Sequence, residues 1–269
     1  FIMTISSNNN NIQTYLNNDV QLNKTLERVA TGLLINKASD NAASLAISEN
    51  LKTEASGISQ SIENVNSALA MTQIGDKAMG EQSNILDSVK KDLLQASTDT
   101  TSQEGRDALL QKVQKSLEQL NNIASQTNYN GTSLLQASPT DTAPSDSQDF
   151  QAGSGSADTI SSGSVQANTT GLGLDDLLNQ DPNTFTAATA RSFLDNVDDA
   201  LNTLNSNRAE FGSTANQLES SNRNLATQYT STMEARSVLT DIDYAKETSS
   251  FSKQNILAQV GAFSLAQSN

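Results

Sequence analysis

The chain has 269 residues, 35% of them hydrophobic but only 4% aromatic, with no Trp; a compact enzyme of this size usually buries more large side chains, whereas an elongated bundle closes on Ala, Leu, Ile and Val. A net charge of −14 and a pI near 4.3 oppose binding to phosphate backbones or anionic lipid, so neither nucleic acid nor a membrane is expected as a partner. Without Cys or His the chain lacks thiolate, imidazole and the usual transition-metal ligands, which excludes serine triads, cysteine proteases and zinc hydrolases and leaves no catalytic, cofactor or metal site to name.

Residues 1–40 are Asn-rich yet keep Ile12, Leu22, Leu26, Val29 and Leu33. Tyr15, Leu22 and Val29 form one heptad row, while Asp19 interrupts the companion row of Ile12, Leu26 and Leu33. This helix is expected to be weaker than the next and to wait for a partner to supply the other half of its core. The pattern breaks from Gly32 to Asp40, and Ser39, Asp40 and Asn41 are candidate caps for a second, longer helix. Leu51, Ala55, Ile58, Ile62, Val65 and Leu69 then repeat a 4-3 spacing that Leu86, Val89, Leu93 and Ala96 resume. Read as one helix from about Ser44 to Ser97, this stretch is roughly 80 Å long at 1.5 Å per residue. After a turn at Thr98 to Gly105, the run Leu110, Val113, Leu117, Leu120 and Ala124 predicts a shorter helix packed back on the long one.

Asn130-Gly131 is a tight-turn signal, and Thr132 to Leu135 begin a short strand. All three Pro residues and five of the thirteen Gly residues fall between Ala137 and Asn183, and Ser116 to Ala190 carries eight acidic side chains and no basic one. A solvated surface loop or small β-rich insert is expected there; its carboxylates do not follow the order of a Ca²⁺-binding EF-hand. From about Thr184 to Thr232 helical periodicity returns, with Val197, Leu204, Phe211, Leu218 and Leu225 in one row and Leu194, Leu201, Ala215 and Tyr229 in a second. Gly212 within it costs about 1 kcal/mol relative to Ala. Asp241-Ile242-Asp243 reads as helix capping rather than a metal pair, leading into an amphipathic segment with Phe251, Ile256, Val260 and Phe263. No stretch reaches the roughly 18 to 20 apolar residues that span a bilayer. Phe1-Ile2-Met3-Thr4-Ile5 lacks the charged and apolar regions of a cleaved signal, so export, if it occurs, takes another route.

Taken together these patterns predict a mainly α, elongated helical bundle with coiled-coil-like ends and a small insert. Four separated motifs give that architecture a family. Ala30 to Ile47, ATGLLINKASDNAASLAI, closely resembles the N-terminal signature of bacterial flagellin. Gln126 to Gly131, Arg208 to Gly212 with Asn216-Gln217-Leu218, and Asp241 to Ala245 are similar to that family in the same order. The resemblance implies a structural subunit of the flagellar filament, not an enzyme, exported unfolded through the flagellar type III apparatus to an extracellular filament used for swimming. It implies a homopolymer as the main partner state, with the flagellar cap protein, the hook-filament junction protein and an export chaperone as further partners. Residues 1–43 and 233–269 are then the two parts of an inner-tube domain and 44–135 and 184–232 those of a surrounding rod, with 136–183 a short outward insert. Ile12, Leu22, Leu26, Leu33, Phe251, Ile256 and Phe263 become the assembly residues of the inner helices. Leu51, Ile58, Ile62, Val65, Leu69, Val197, Leu204, Phe211, Leu218 and Leu225 become the bundle core.

The chain departs from the family pattern in places. Leu34 stands where Arg is usual, Asn41 where Asp is usual and Ser44 where Gly is usual, and the first removes a planar donor able to bridge layers. Met3 resembles a family start preceded by two residues, and Ala266 to Asn269 stops short of the usual Leu-rich end. Many flagellins engage Toll-like receptor 5 through a Leu-Gln-Arg-x-Arg-Glu-Leu type stretch. Here Leu86 to Leu93 reads LDSVKKDL, with Ser88 at the first Arg, Lys90 at the second and Asp92 at the Leu, as in Campylobacter and Arcobacter-type flagellins, which it resembles; weak receptor activation is expected. A hook-filament junction protein and a secreted helical adhesin are the alternative readings.

Overall fold

A computed structural model describes residues 2–136 and 138–267. The expectations attached to Phe1, to Ala137 in the insert and to Ser268 and Asn269 lie outside the described residues. Six α-helices run in chain order among them: α1 (Ile2–Thr31), α2 (Ala42–Ala96), α3 (Gln103–Gln126), α4 (Asp175–Leu178), α5 (Ala187–Thr240) and α6 (Tyr244–Gln267). Two antiparallel hairpins lie between α3 and α4, β1 (Asn128–Tyr129) with β2 (Thr132–Ser133) and β3 (Asp149–Gln151) with β4 (Thr159–Ser161). The chain forms two compact units, one from the residues up to Gly57 and from Thr227 on, the other from Ile58–Ala226. The resemblance implied changes of layer at 43/44 and 232/233; the division between the two compact units falls inside α2 and α5.

In the Ile58–Ala226 unit, apolar residues at heptad spacing close a three-helix core. Leu86, Val89 and Leu93 of α2, Leu110, Val113, Leu117 and Leu120 of α3, and Val197 and Leu204 of α5 have no exposed surface. Ser102 starts α3, its hydroxyl accepting from the Gly105 N–H at 3.2 Å, which satisfies one of the free donors of the first turn. Past the end of α3 a β-hairpin takes its place. Phe150, Ala152 and Ile160 of the β3–β4 arm pack on Ile58, Val65, Ala68, Leu218 and Leu225, so the α2–α5 seam stays covered without a third helix. Of the bundle residues named from the heptads, Ile58, Val65, Val197, Leu204, Phe211, Leu218 and Leu225 are buried. Ile62 and Leu69 are half-buried at the seam's edge, and half-buried Leu51 belongs to the other unit.

Of the two expectations for the insert, a solvated loop or a small β-rich element, the β3–β4 hairpin fits the second, and the segment also has a core that a solvated loop would lack. Val165, Ala167, Leu172, Leu174 and Leu177 are buried in the same core as the helices. Polar contacts fasten them. Gln82 of α2, fully buried, donates from Nε2 to the carbonyls of Leu120 (3.1 Å) and Ala167 (2.8 Å). Asn121 of α3 donates to the Thr169 hydroxyl at 3.0 Å and accepts from the Thr169 N–H at 2.8 Å. Asn168 ties the carbonyls of Pro139 and Asp141 to the Gly171 N–H. Gln82→Leu keeps the volume but strands the Ala167 carbonyl, at a cost of about 1–3 kcal/mol. Amide exchange should then accelerate in residues 165–174 before it does in α3; protection equal to that of the parent chain would mean that Gln82 does not hold the insert.

Candidate assembly interface

The unit built from the two ends of the chain begins with α1, which stops because Gly32 adopts the left-handed conformation (φ 74°) and its N–H closes on the Arg28 carbonyl at 2.8 Å. A glycine is required: a Cβ there would lie 3.0 Å from the Tyr244 hydroxyl oxygen. Leu33 therefore falls off the helix that its heptad row implies. It pairs in an isolated antiparallel bridge with Asp241, flanked by Leu34 N–H to Thr240 O (2.6 Å) and Ile242 N–H to Gly32 O (3.1 Å). That corrects its assignment as an inner-helix residue, since it holds the two connectors together instead. Asn41 caps α2, its side-chain oxygen accepting from the Ser44 N–H at 3.1 Å, and Asp243 caps α6 by accepting from the Lys246 N–H at 3.1 Å.

Asp40 has a different task from the capping expected of it. Its carboxylate accepts from the N–H groups of Asn36 and Lys37, each at 3.2 Å, and pairs with Lys24 at 2.8 Å. The Lys24 hydrogen bond first, then the Asn36 N–H, hold its pKa down from 3.8 to about 2. Glu27 beside Lys37 raises that ammonium's pKa through a 2.8 Å hydrogen bond. Because the folded value of Asp40 is depressed, its contribution to stability is complete above the unfolded value of 3.8 and is lost as pH falls through about 2. Amide resonances of Asn36 and Lys37 should follow that titration, and Asp40→Asn should abolish it. A midpoint at the unfolded value would show that the carboxylate is not held.

Helices α1 and α6 pack antiparallel. Tyr15 lies over Gly261, where a Cβ would be 3.1 Å from the ring, Asn18 donates to the Gln254 carbonyl at 2.9 Å, and Arg28 reaches Glu247 at 3.7 Å. Leu22 and Phe251 are half-buried in this unit. The other assembly residues named from the sequence face outward: Ile12 is 42% exposed, Leu26 51%, Ile256 61% and Phe263 79%. Sequence reasoning did not single out Leu16 and Val20, which are also exposed and extend Ile12 at four-residue steps along one face of α1. On α6, Ile256, Val260 and Phe263 recur at four and three residues, again on one face. Two helices thus carry outward apolar stripes of a kind that single surface residues do not form.

Elsewhere the motif residues are engaged within the chain. Arg208 donates to Asp76 at 3.0 Å, and Phe211 is buried. In the Leu86–Leu93 stretch, Leu86, Val89 and Leu93 serve the core, Ser88 is exposed, Lys90 pairs with Asp198, and buried Asp92 accepts from Lys112 at 2.8 Å. Lys112 of α3, a partner the heptad pattern could not reveal, pairs with Asp92 Oδ1, while Oδ2 is buried without a hydrogen bond among the described residues, so the cost of burying this carboxylate is met only in part. Among the described residues no group of three or more acidic side chains could hold a metal ion, and no helix is long and apolar enough to cross a membrane.

Residues 2–140 match the bacterial flagellin N-terminal helical region, and residues 194–269 match the bacterial flagellin C-terminal helical region. The chain belongs to the bacterial flagellin family. Within it, this flagellin is 30% identical to flagellin of Bacillus subtilis over 97% of the chain and 93% of that protein. It is 41% identical to Flagellin B of Helicobacter pylori over 121 residues, which are 45% of this chain and 24% of that one. The chain thus spans about a quarter of that relative's length. Among solved structures it is similar to the crystal structure of Bacillus cereus flagellin, with a TM-score of 0.51 and 29% identity over 61% of this chain and 88% of the other.

Proposed function

We propose that this flagellin is a structural subunit of the bacterial flagellar filament, self-assembling into a helical tube for swimming motility. The observation that carries the reading is the pair of outward apolar stripes on α1 and α6, which a lone molecule leaves in water. A second copy offering the same helices covers them by heterologous contacts that do not close, the arrangement that yields an open helical polymer. In this reading 1–43 and 233–269 form the inner tube, 44–135 and 184–232 the rod around it, and 136–183 the outer face. Export unfolded through the type III apparatus, growth beneath a cap protein, attachment to a hook-filament junction protein and escort by an export chaperone belong to the same role, as does an extracellular location. Electron microscopy of purified protein seeded with filament fragments tests it: filaments are expected, with a gain in helix by circular dichroism. Protein that stays monomeric with seeds and at high ammonium sulfate would overturn it.

The Leu86–Leu93 stretch also supports weak recognition by Toll-like receptor 5 and kinship with Campylobacter and Arcobacter-type flagellins. Lys90 and Asp92 are committed to Asp198 and Lys112, and Ser88 offers a hydroxyl in place of a guanidinium fork. Ser88→Arg with Asp92→Leu should raise receptor-reporter activation by about tenfold or more, one good charged contact's worth. An unchanged dose response would show that this stretch does not limit recognition.

A further inference from the structure

We propose that Asn130 is a site of spontaneous covalent modification, converting in the folded protein to aspartate and isoaspartate through attack by its own backbone. Asn130-Gly131 is the one Asn-Gly pair in the chain. It forms the two-residue turn between β1 and β2, where Tyr129 pairs with Thr132. Both residues are exposed and both have positive φ, 50° and 82°. Beyond its chain neighbours, no atom lies within 4 Å of where a Gly131 Cβ would be, so the residue that carries the nucleophile is not crowded by other parts of the chain. Neither the Gly131 N–H nor the Asn130 side-chain amide makes a hydrogen bond among the described residues, so ring closure breaks none at either reacting group. The two-residue strands on either side give the turn little resistance to the backbone rotation that closure needs.

The chemistry needs water alone. Hydroxide removes the Gly131 amide proton, and the nitrogen attacks the Asn130 side-chain carbonyl carbon. A C–N bond forms, the side-chain nitrogen takes a proton from water and leaves as ammonia, and a five-membered succinimide remains. Water then opens one of its two carbonyls, giving aspartate or isoaspartate; the net change is water in and ammonia out, with nothing oxidised or reduced. Two buried asparagines are held instead. Asn121 has both its amide atoms bonded to Thr169, and Asn168 bonds through both of its own. Either product adds a carboxylate to a segment that already has no basic residue between Ser116 and Ala190. Isoaspartate also lengthens the turn's backbone by one carbon, which the Tyr129–Thr132 register cannot absorb, and Tyr129 packs against the main core.

Incubation of the purified full chain at mildly alkaline pH, followed by peptide mapping, tests the assignment, with circular dichroism confirming throughout that the helices persist. The aspartate product creates a new cleavage site for an aspartate-directed protease, the isoaspartate product has the same mass and resists cleavage, and an Asn130→Asp chain marks the first of them. Conversion at Asn130 should exceed that at Asn121 by at least about tenfold, since only Asn130 precedes a glycine. Equal rates at the two positions, or conversion that begins only as helix signal is lost, would overturn the proposal.

Discussion

Phe211→Ala is expected to destabilise the Ile58–Ala226 unit by about 3–5 kcal/mol, the range for deleting a buried aromatic ring. Phe211 is 4% exposed and occupies the middle of the α5 row that runs from Val197 to Leu225. Its ring sits where Gly75 of α2 has no side chain: a Cβ at Gly75 would be 2.5 Å from Phe211 Cε1 and 3.0 Å from Cδ1. The glycine, costly in a helix interior, is thus explained by the ring it admits. Beside them lies an open groove of about 800 Å³ lined by Ile74, Gly212 and Ala215, into which the vacated space would open. Water entry from that side places the cost near the lower end of the range. Gly75→Ala probes the same contact from the other helix and should cost about 1–3 kcal/mol by overpacking. With Phe211 gone the new methyl group loses its three nearest neighbours, all atoms of that ring, so the double variant should be no worse than Phe211→Ala alone. Guanidinium denaturation of the four proteins measures the coupling; strictly additive losses would mean that ring and glycine do not share the space.

The second large effect is on assembly rather than on stability. Leu26→Asp and Phe263→Asp should leave the monomer's helix content and denaturation midpoint unchanged, because these side chains are 51% and 79% exposed in the folded chain. In a polymer that covers them, each variant forfeits about 1.5–3 kcal/mol of apolar burial and also buries a carboxylate without a partner. The critical concentration for polymerisation should therefore rise by about two orders of magnitude or more. Sedimentation of seeded reactions across a concentration series reads this directly. Normal polymerisation by both variants would remove α1 and α6 from the interface, while loss of helix in the monomers would mean that the stripes serve the subunit's own fold.

Heptad spacing made the long helices legible because it records burial along a single face. It found α2 within two residues of its start and one of its end, and the rows Leu110 to Ala124 and Val197 to Leu225. It could not find the core of the insert. Val165, Ala167, Leu172, Leu174 and Leu177 follow no fixed period, being buried by the turns of an irregular chain and by Gln82 and Asn121 on distant helices. Leu33 misled for the opposite reason: it keeps the heptad register of α1, but the left-handed Gly32 has already ended the helix. At the candidate interface, an apolar stripe in a sequence does not say whether its partner lies in the same chain. Leu22 and Phe251 are half-buried here, whereas Ile12 and Phe263 remain open, and only the pairing of α1 with α6 separates the two groups.

The contact of Tyr15 with Gly261 joins residues near opposite ends of the chain. Local helix formation can begin in any segment, but this contact must wait until the last turns of α6 are available, and the loop it closes is nearly the whole polypeptide. A molecule emerging N-terminal end first from a ribosome or a narrow channel therefore keeps α1 unpaired until α6 has emerged. A chain broken off before α6 would therefore leave the Tyr15 face of α1 without its partner.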